Sequence, residues 1–440
     1  MGTKTTTAGA EINIIYVALG FGVLFVFYTL LILEIMHRTP AALLTAAVIF
    51  LLNIVLKFTS FDELLSGIDI DTILLLMNMM IIVGVLSKTG FFRYVASVIL
   101  MRFYDRPYML VFLLAGFTAF VSAFIDNVTT VLLITPIVLD IFSELRIDPR
   151  PVLLAIVFAS NIGGTATLIG DPPNIIIGSV ADLGFMSFIY NLTPIVVIDF
   201  LIFILFFKLV NKKWLKEYQV NAKRTVTVLS VNVNTVLMRR TLGVLFFVIV
   251  LFFLEDILGY PPAIPAMIGA GLVLLLARNY ISYEEILGFI DWSTLVFFIA
   301  MFIVVRGVEA LGVLGFIGSG ILALSSNKLA LIVVIVWISA LLSAFIDNIP
   351  FVMVMVPLIP HLAHAVGVDA TPLYWALSLG ACLGGNGTIV GASANIVVAG
   401  IAERNGYHIS FKYFTKNGMM VMLLTVGIST LYLIFRYVLL

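Results

Sequence analysis

The chain has 440 residues, 62% of them hydrophobic and only 11% charged, with 24 Lys and Arg balanced by 24 Asp and Glu. A soluble domain averages roughly 45–50% apolar and about 25% charged residues, so a soluble globular protein is excluded. An apolar chain of zero net charge also lacks the polar, highly charged composition that keeps segments disordered.

At about 20 residues per crossing, the apolar content sets a ceiling of roughly 13 membrane spans. The apolar runs are long and continuous, unlike the alternating segments of about ten residues in a transmembrane β-barrel. The expected fold is therefore an all-α polytopic membrane protein.

In chain order, residues 12–34 follow a lone Lys and lack a small-residue cleavage site. They read as a retained span, not as a secretory signal. Further spans are expected near 40–57, 71–88, 151–180, 194–210, 240–255, 261–278, 291–308, 372–402 and 418–437, about 10 crossings in all. The apolar stretches 108–143 and 329–364 are too long for one straight span and too short for two. Each carries an Asp-Asn pair at its middle, which predicts a re-entrant helical hairpin. Such a turn is tolerated at membrane depth only where protein buries it or where it lines a wet cavity. Segments 91–103 and 313–325 predict short interfacial helices leading into the hairpins. Residues 211–239, basic and rich in Thr, Val and Asn, read as a cytoplasmic linker. It follows an N-terminal span within 1–39 and a first unit at 40–210, and precedes a second unit at 240–440.

Lys and Arg favour cytoplasmic loops. With both termini outside, only Lys4, Lys57, Arg306, Lys328 and Arg436 of the 24 Lys and Arg fall on the outer side.

The two units repeat one pattern. IDIDTILLLMNMM (68–80) resembles FIDWSTLVFFIAMF (289–302), and VSAFIDNVTTVLLITPIVL (121–139) matches LSAFIDNIPFVMVMVPLIP (342–360). NIGGTATLIGDPPNIIIGS (161–179) matches CLGGNGTIVGASANIVVAG (382–400) at the same spacing. An odd number of crossings per unit turns the second copy upside down. Inverted-topology repeats of this kind place a substrate site near the midplane, between discontinuous helices.

A carboxylate at membrane depth costs at least a few kcal/mol and must be paired, protonated or bound to a cation. Asn supplies both an acceptor and donors, and Thr supplies a hydroxyl. Asp126, Asn127, Thr129 and Thr130 at the first hairpin tip therefore predict a site for a dehydrated sodium ion or a proton. Asp347 and Asn348 repeat it, with Pro350 and Phe351 in place of the hydroxyls. Sodium is expected at Asp126, Asn127, Asp347 and Asn348.

Glycines and prolines inside an apolar run break the helix, leaving backbone groups free around Gly164, Thr165, Thr167, Asp171 and Asn174. A half-helix beginning near Pro172 would aim its positive end at an anion. Gly385, Asn386, Thr388, Ser393 and Asn395 form the second copy, without the acid and the prolines. Asp171 reads either as an extra acid favouring a cation or as a cap on the half-helix.

No Lys or Arg falls within these four motifs, which counts against a highly charged oxyanion. Arg306 is expected to snorkel or to pair with Glu309, and His361 and His364 read as helix-end polar residues. Cys382 reads as a small apolar filler.

These blocks, SAFIDNVTT, NIGGTATLIGDPPN, SAFIDNIPF and LGGNGTIVGASANIV, resemble the P protein (pink-eyed dilution) branch of the arsenite-permease group. That group belongs to the ion transporter superfamily, beside citrate and dicarboxylate permeases and sodium/proton antiporters. The resemblance runs from about residue 40 onward. It implies a scaffold and a moving region with two re-entrant hairpins and two broken helices, in a homodimer working by an elevator movement. In the dicarboxylate relatives the hairpin tips carry Ser-Asn-Thr sets; here an acid stands at each tip.

The expected function is secondary active transport of a small inorganic ion across the cell membrane. The cargo would be an anion such as chloride or arsenite, coupled to sodium or protons. A sodium/proton antiporter is the alternative, with an ion channel and a sodium-coupled carboxylate importer behind it. No enzyme activity, cofactor beyond the coupling ion, or nucleic-acid partner is expected; the partners are the lipid bilayer and the ion. An intramembrane protease using two Asp residues would place its acids close enough to share a proton, not in two separate hairpins.

Overall fold

The computed structural model describes residues 14–33, 35–221, 233–324 and 327–439, and no strand occurs among them. The described residues begin with α1 (Ile14–Ile32), and the first unit runs through α2 (Arg38–Leu56), α3 (Phe61–Ser66), α4 (Ile70–Lys88), α5 (Phe91–Phe103) and α6 (Pro107–Ser122). It continues with α7 (Asn127–Leu145), α8 (Arg150–Gly164), α9 (Pro172–Ala181), α10 (Phe185–Asn191) and α11 (Thr193–Val210). After α12 (Lys212–Asn221), the second unit contains α13 (Thr235–Leu258), α14 (Ala263–Ala277), α15 (Tyr283–Leu287), α16 (Trp292–Ala310), α17 (Val313–Leu324) and α18 (Lys328–Ser343). Then come α19 (Asn348–Met355), α20 (Ile359–Val366), α21 (Thr371–Gly384), α22 (Ser393–Arg404) and α23 (Phe411–Ile434).

The repeat is written into the helix starts. Ser60 and Ser282 cap α3 and α15 by accepting from the backbone N–H groups of Glu63 and Glu285. Asp69 and Asp291 cap α4 and α16, accepting from Thr72 and Thr294 N–H at 3.2 and 3.1 Å. Each such cap contributes about 1 kcal/mol to the helix it starts.

Nine helices among the described residues are long and apolar enough to cross a membrane. The two hairpins are α6 with α7, turning at 123–126, and α18 with α19 and α20, turning at 344–347. Between α19 and α20, Val356–Leu358 tightens to a 3-10 turn, where Pro357 and Pro360 withhold two backbone donors. The broken helices are α8 with α9 and α21 with α22, and α5 and α17 lead into the hairpins.

The expected linker 211–239 is in part helical. Its beginning is the helix α12, held by Trp214 and Tyr218, whose rings lie 6.0 and 5.9 Å from that of Phe142. Trp214 Nε1 donates to the Asp148 carbonyl at 2.9 Å. The basic charges of this segment masked two aromatic anchors, and its end is already α13, which starts at Thr235. Residues 222–232 of that linker, residues 1–13 with Lys4, and Glu34 of the expected first span lie outside the described residues.

Helices pack by exchange between the units. α2 lies along α16 and α14 along α4, while α7 meets α22 and α19 meets α9. Within units, α6 packs on α8 and α18 on α21. Glycine permits the last two contacts: a Cβ on Gly163 would stand 2.1 Å from the Ala119 carbonyl oxygen, and one on Gly384 would stand 2.6 Å from that of Ala340. Small residues that let backbones approach are how helices associate in lipid, where burial of apolar surface supplies no drive.

At the surface, Arg306 pairs with Glu309 at 2.8 Å, as expected, and also with Glu63 at 2.6 Å. The Thr59 hydroxyl and the Arg306 guanidinium hold the Glu63 carboxyl below the usual carboxylate range. His361 and His364 are exposed on α20.

Candidate functional site

Each helix break needs partners for the carbonyls it frees. Asn174 Nδ2 donates to the carbonyls of Thr165 and Thr167 at 3.1 and 2.8 Å. Asn395 Nδ2 does the same for Gly385 and Thr388 at 2.7 and 2.9 Å. The Thr167 and Thr388 hydroxyls donate to the carbonyls of Ala123 and Ala344, tying each break to a hairpin tip. Thr165 Oγ1 donates back to the Asn161 carbonyl at 2.8 Å. These five predicted residues therefore brace the backbone. Gly164 and Gly385 leave room for the return of the loop, since a Cβ there would stand 3.0 and 3.1 Å from the carbonyl oxygens of Gly170 and Gly391.

The centre belongs to Asp171. It begins α9 without making a side-chain cap bond, so the capping role does not apply. Asn127 Nδ2 from the first hairpin lies 3.4 Å from Asp171 Oδ1. Asn348 Nδ2 from the second lies 3.5 and 3.4 Å from its two oxygens. Amides from both hairpins thus converge on one carboxyl that is 1% exposed. Asn127 Nδ2 also reaches Asn161 Oδ1 at 3.3 Å, and Asn161 donates to Asn386 and Asn395 Oδ1 at 3.0 Å each.

The two hairpin acids have unequal partners. Asp126 accepts from Thr129 N–H at 2.9 Å, and Thr130 Oγ1 reaches the Ile125 carbonyl at 3.5 Å. Asp347 accepts from Ile349 N–H at 3.2 Å, from the Ser393 hydroxyl at 2.6 Å, and from Arg38 Nη1 at 3.2 Å. Arg38 also donates to Ser393 Oγ at 2.6 Å and to Thr294 Oγ1 at 2.9 Å, with its guanidinium 5.4 Å from the Phe297 ring centre. The Thr294 hydroxyl in turn donates a hydrogen bond to Asp291 Oδ2 at 2.5 Å. Among the described residues no hydrogen bond joins Asp126 to Asp347. The two hairpin acids are separated in role, Asp126 capping α7 and Asp347 held by Arg38.

A cavity of about 360 Å³ opens onto this centre, lined by Asp126, Asp171, Asn348, Asp291, Arg38 and Lys88 among others. Three acids against two cations make the lining attractive to a positive ion, and Lys88 is itself occupied by Glu285. Cys382 is buried beside Asn174, with Sγ 3.7 Å from Oδ1.

Sequence reasoning missed Arg38, Asn161 and the Asp291–Thr294 pair. Arg38 looked like a loop charge because its partners lie far along the chain, and nothing local pointed to them. Asn161 was visible as a polar residue opening the Gly-rich block, and Asp291–Thr294 as the repeat of Asp69–Thr72.

The sequence profile of the citrate transporter family matches residues 28–380. An uncharacterized transporter of Mycobacterium bovis is 39% identical over 419 residues, covering 93% of this chain and 96% of its own length. The P protein of Mus musculus is 35% identical over 497 residues, 93% of this chain but 59% of its own, which bears out the resemblance read in the motifs. Among solved structures, the YdaH transporter of Alcanivorax borkumensis aligns with a TM-score of 0.61 at 14% identity, over 86% of this chain and 88% of that one. At that identity the likeness is one of fold.

Proposed function

Because this chain belongs to the citrate transporter family and is a membrane transporter of that kind, we propose that it is a secondary active transporter that moves a small inorganic ion, coupled to a proton or sodium ion bound at Asp171. The observation that carries this reading is the convergence of Asn127 and Asn348, one from each hairpin, on that single buried carboxyl. Neutral amides only partly offset the cost of a charge at membrane depth. Asp171 must therefore hold a cation or a proton, and releasing it requires a replacement. That requirement is the coupling.

The proposed movement is of the elevator type. The hairpins and broken helices pack on one another, with α11 and α23 beside them, while α2, α4, α14 and α16 form a second packed set. Moving the first set past the second would carry Asp171 with it and would break the bonds from Arg38 on α2 to Asp347 and Ser393. A homodimer in the plasma membrane, with both termini outside, completes this reading.

The test is reconstitution in liposomes with an internal pH dye. A dye response to an imposed sodium gradient alone supports sodium/proton exchange. A response that requires chloride or arsenite supports transport of an anion. No response under any of these gradients refutes the proposal.

The anion reading has one observation of its own, the guanidinium of Arg38 on the cavity wall. If Arg38 recruits an anion, Arg38→Gln should lower anion-dependent flux about tenfold, the equivalent of about 1.4 kcal/mol. Sodium-driven dye response should fall much less. An equal loss in both assays would reduce Arg38 to a tether for Asp347. A carboxylate cargo is less well supported, since Asp126 and Asp291 on the cavity wall would repel it.

A further inference from the structure

Away from the centre, the structure buries a second carboxyl at membrane depth, Asp199 in the apolar helix α11. Its exposure is 0%. Ser429 of α23 donates to Oδ2 at 2.8 Å, and Oδ1 has no partner among the described residues. A carboxylate there costs at least a few kcal/mol, whereas one hydrogen bond to a charged group returns about 1.5–3 kcal/mol and leaves the other oxygen bare. A sodium ion needs several oxygens around it, whereas among the described residues the carboxyl's one hydrogen-bond partner is the Ser429 hydroxyl. The neutral acid, with its proton, is the form the geometry accepts.

Among the described residues, no neighbouring charge offers an alternative. On α11 itself, Lys208 Nζ sits 4.7 Å from the ring centre of Tyr108 on α6. On α23, Lys412 and Lys416 stand at least ~20 Å of helix away from Ser429. Tyr413 lies against the Arg150 guanidinium of α8, which is paired with Asp148. Tyr432 donates to the Asn191 carbonyl and accepts from Arg436, and Tyr190 on α10 is exposed. The α12 groups Lys212, Lys213, Lys216 and Glu217 lie beyond the end of α11, and Tyr218 is stacked on Phe142. The repeat position in α23 carries no acid, so this feature belongs to the first unit alone.

We propose that Asp199 is a second proton-binding site, separate from Asp171 and carried by the same packed set of helices, which takes up and releases a proton during transport. The proposal rests on the transporter reading for its role in coupling, but the proton site itself can be tested without transport. The step is simple association: a carboxylate takes a proton from water on one side and returns it on the other.

Infrared difference spectra of the purified protein in lipid, between about pH 5 and about pH 9, follow the carbonyl stretch of protonated acids. The expected result is a band that fades as pH rises, is missing in Asp199→Asn and is kept in Asp171→Asn. Ser429→Ala, which keeps the acid but removes its donor, should move that band to higher frequency. A wild-type spectrum that Asp199→Asn leaves unchanged would overturn the proposal. So would an Asp199 band that persists over the whole range, which marks a structural acid that never gives up its proton. If Asp199→Asn does not fold, Ser429→Ala decides: a shifted band supports the site and an unmoved one rejects it. In liposomes, Asp199→Asn should lower the protons moved per ion about twofold, and an unchanged ratio rejects the coupling role. Should the wild type show no ion-driven flux at all, the transporter reading fails, and the infrared result alone decides whether Asp199 exchanges its proton.

Discussion

Asp171→Asn is expected to abolish ion-driven pH changes in liposomes, lowering the coupled rate by about 100-fold, while helical content and elution as a single species stay as in the wild type. The magnitude follows from replacing a charged partner in a desolvated site: hydrogen bonds to charged groups are worth about 1.5–3 kcal/mol, and each 1.4 kcal/mol is about tenfold. The fold should survive because Asp171 makes no cap bond and Asn occupies the same volume. Asp126→Asn is the informative comparison. Asn caps helices about as well as Asp, so the bond from Thr129 N–H is kept, and only one charge on the cavity wall is lost. Its effect should be about tenfold or less. Wild-type flux in Asp171→Asn, or a loss in Asp126→Asn as large as that in Asp171→Asn, would remove Asp171 from the centre of the mechanism.

This ranking reverses the one that sequence alone suggests, and the reason is physical. The duplicated blocks made both hairpins and both broken helices legible, because glycine and proline inside apolar runs dictate a break whatever surrounds them. They also made the acids at 126 and 347 prominent, since each recurs in its copy. Duplication finds what the two halves share, whereas the centre of the site is where they differ. Asp171 has Ala392 as its counterpart, so a single carboxyl serves both hairpins. Arg38 was illegible for a related reason. An ion pair between α2 and the tip at Asp347 joins residues at opposite ends of the chain, and no local pattern encodes such a pairing. Polar residues in the breaks were correctly singled out, but Asn174 and Asn395 turn their amides to freed carbonyls. Composition identifies a polar group at depth without telling a ligand from a brace.

Gly163→Ala should destabilise the protein by about 3 kcal/mol, the upper part of the range for overpacking a filled interior. The added methyl would lie 2.1 Å from the Ala119 carbonyl oxygen and 2.4 Å from its Cα, both backbone atoms of α6. No rotamer change can relieve such a clash, so α6 must shift away from α8. That shift would strain the tip at 123–126, which Thr167 holds through the Ala123 carbonyl. Ala119→Gly should therefore fail to rescue the variant, because it removes a side chain that is not in the way. Gly384→Ala meets the Ala340 carbonyl oxygen at 2.6 Å and should cost somewhat less. The same substitution at Gly243, in the middle of α13 with open space around it, should be neutral or stabilising by up to about 1 kcal/mol, since Ala is the better helix former. Thermal unfolding of the three purified variants in one detergent tests the opposition in sign. Equal melting temperatures at 163 and 243 would mean that α6 and α8 do not approach as closely as their backbones require, and the hairpin would lose the support that holds Asn127 against Asp171.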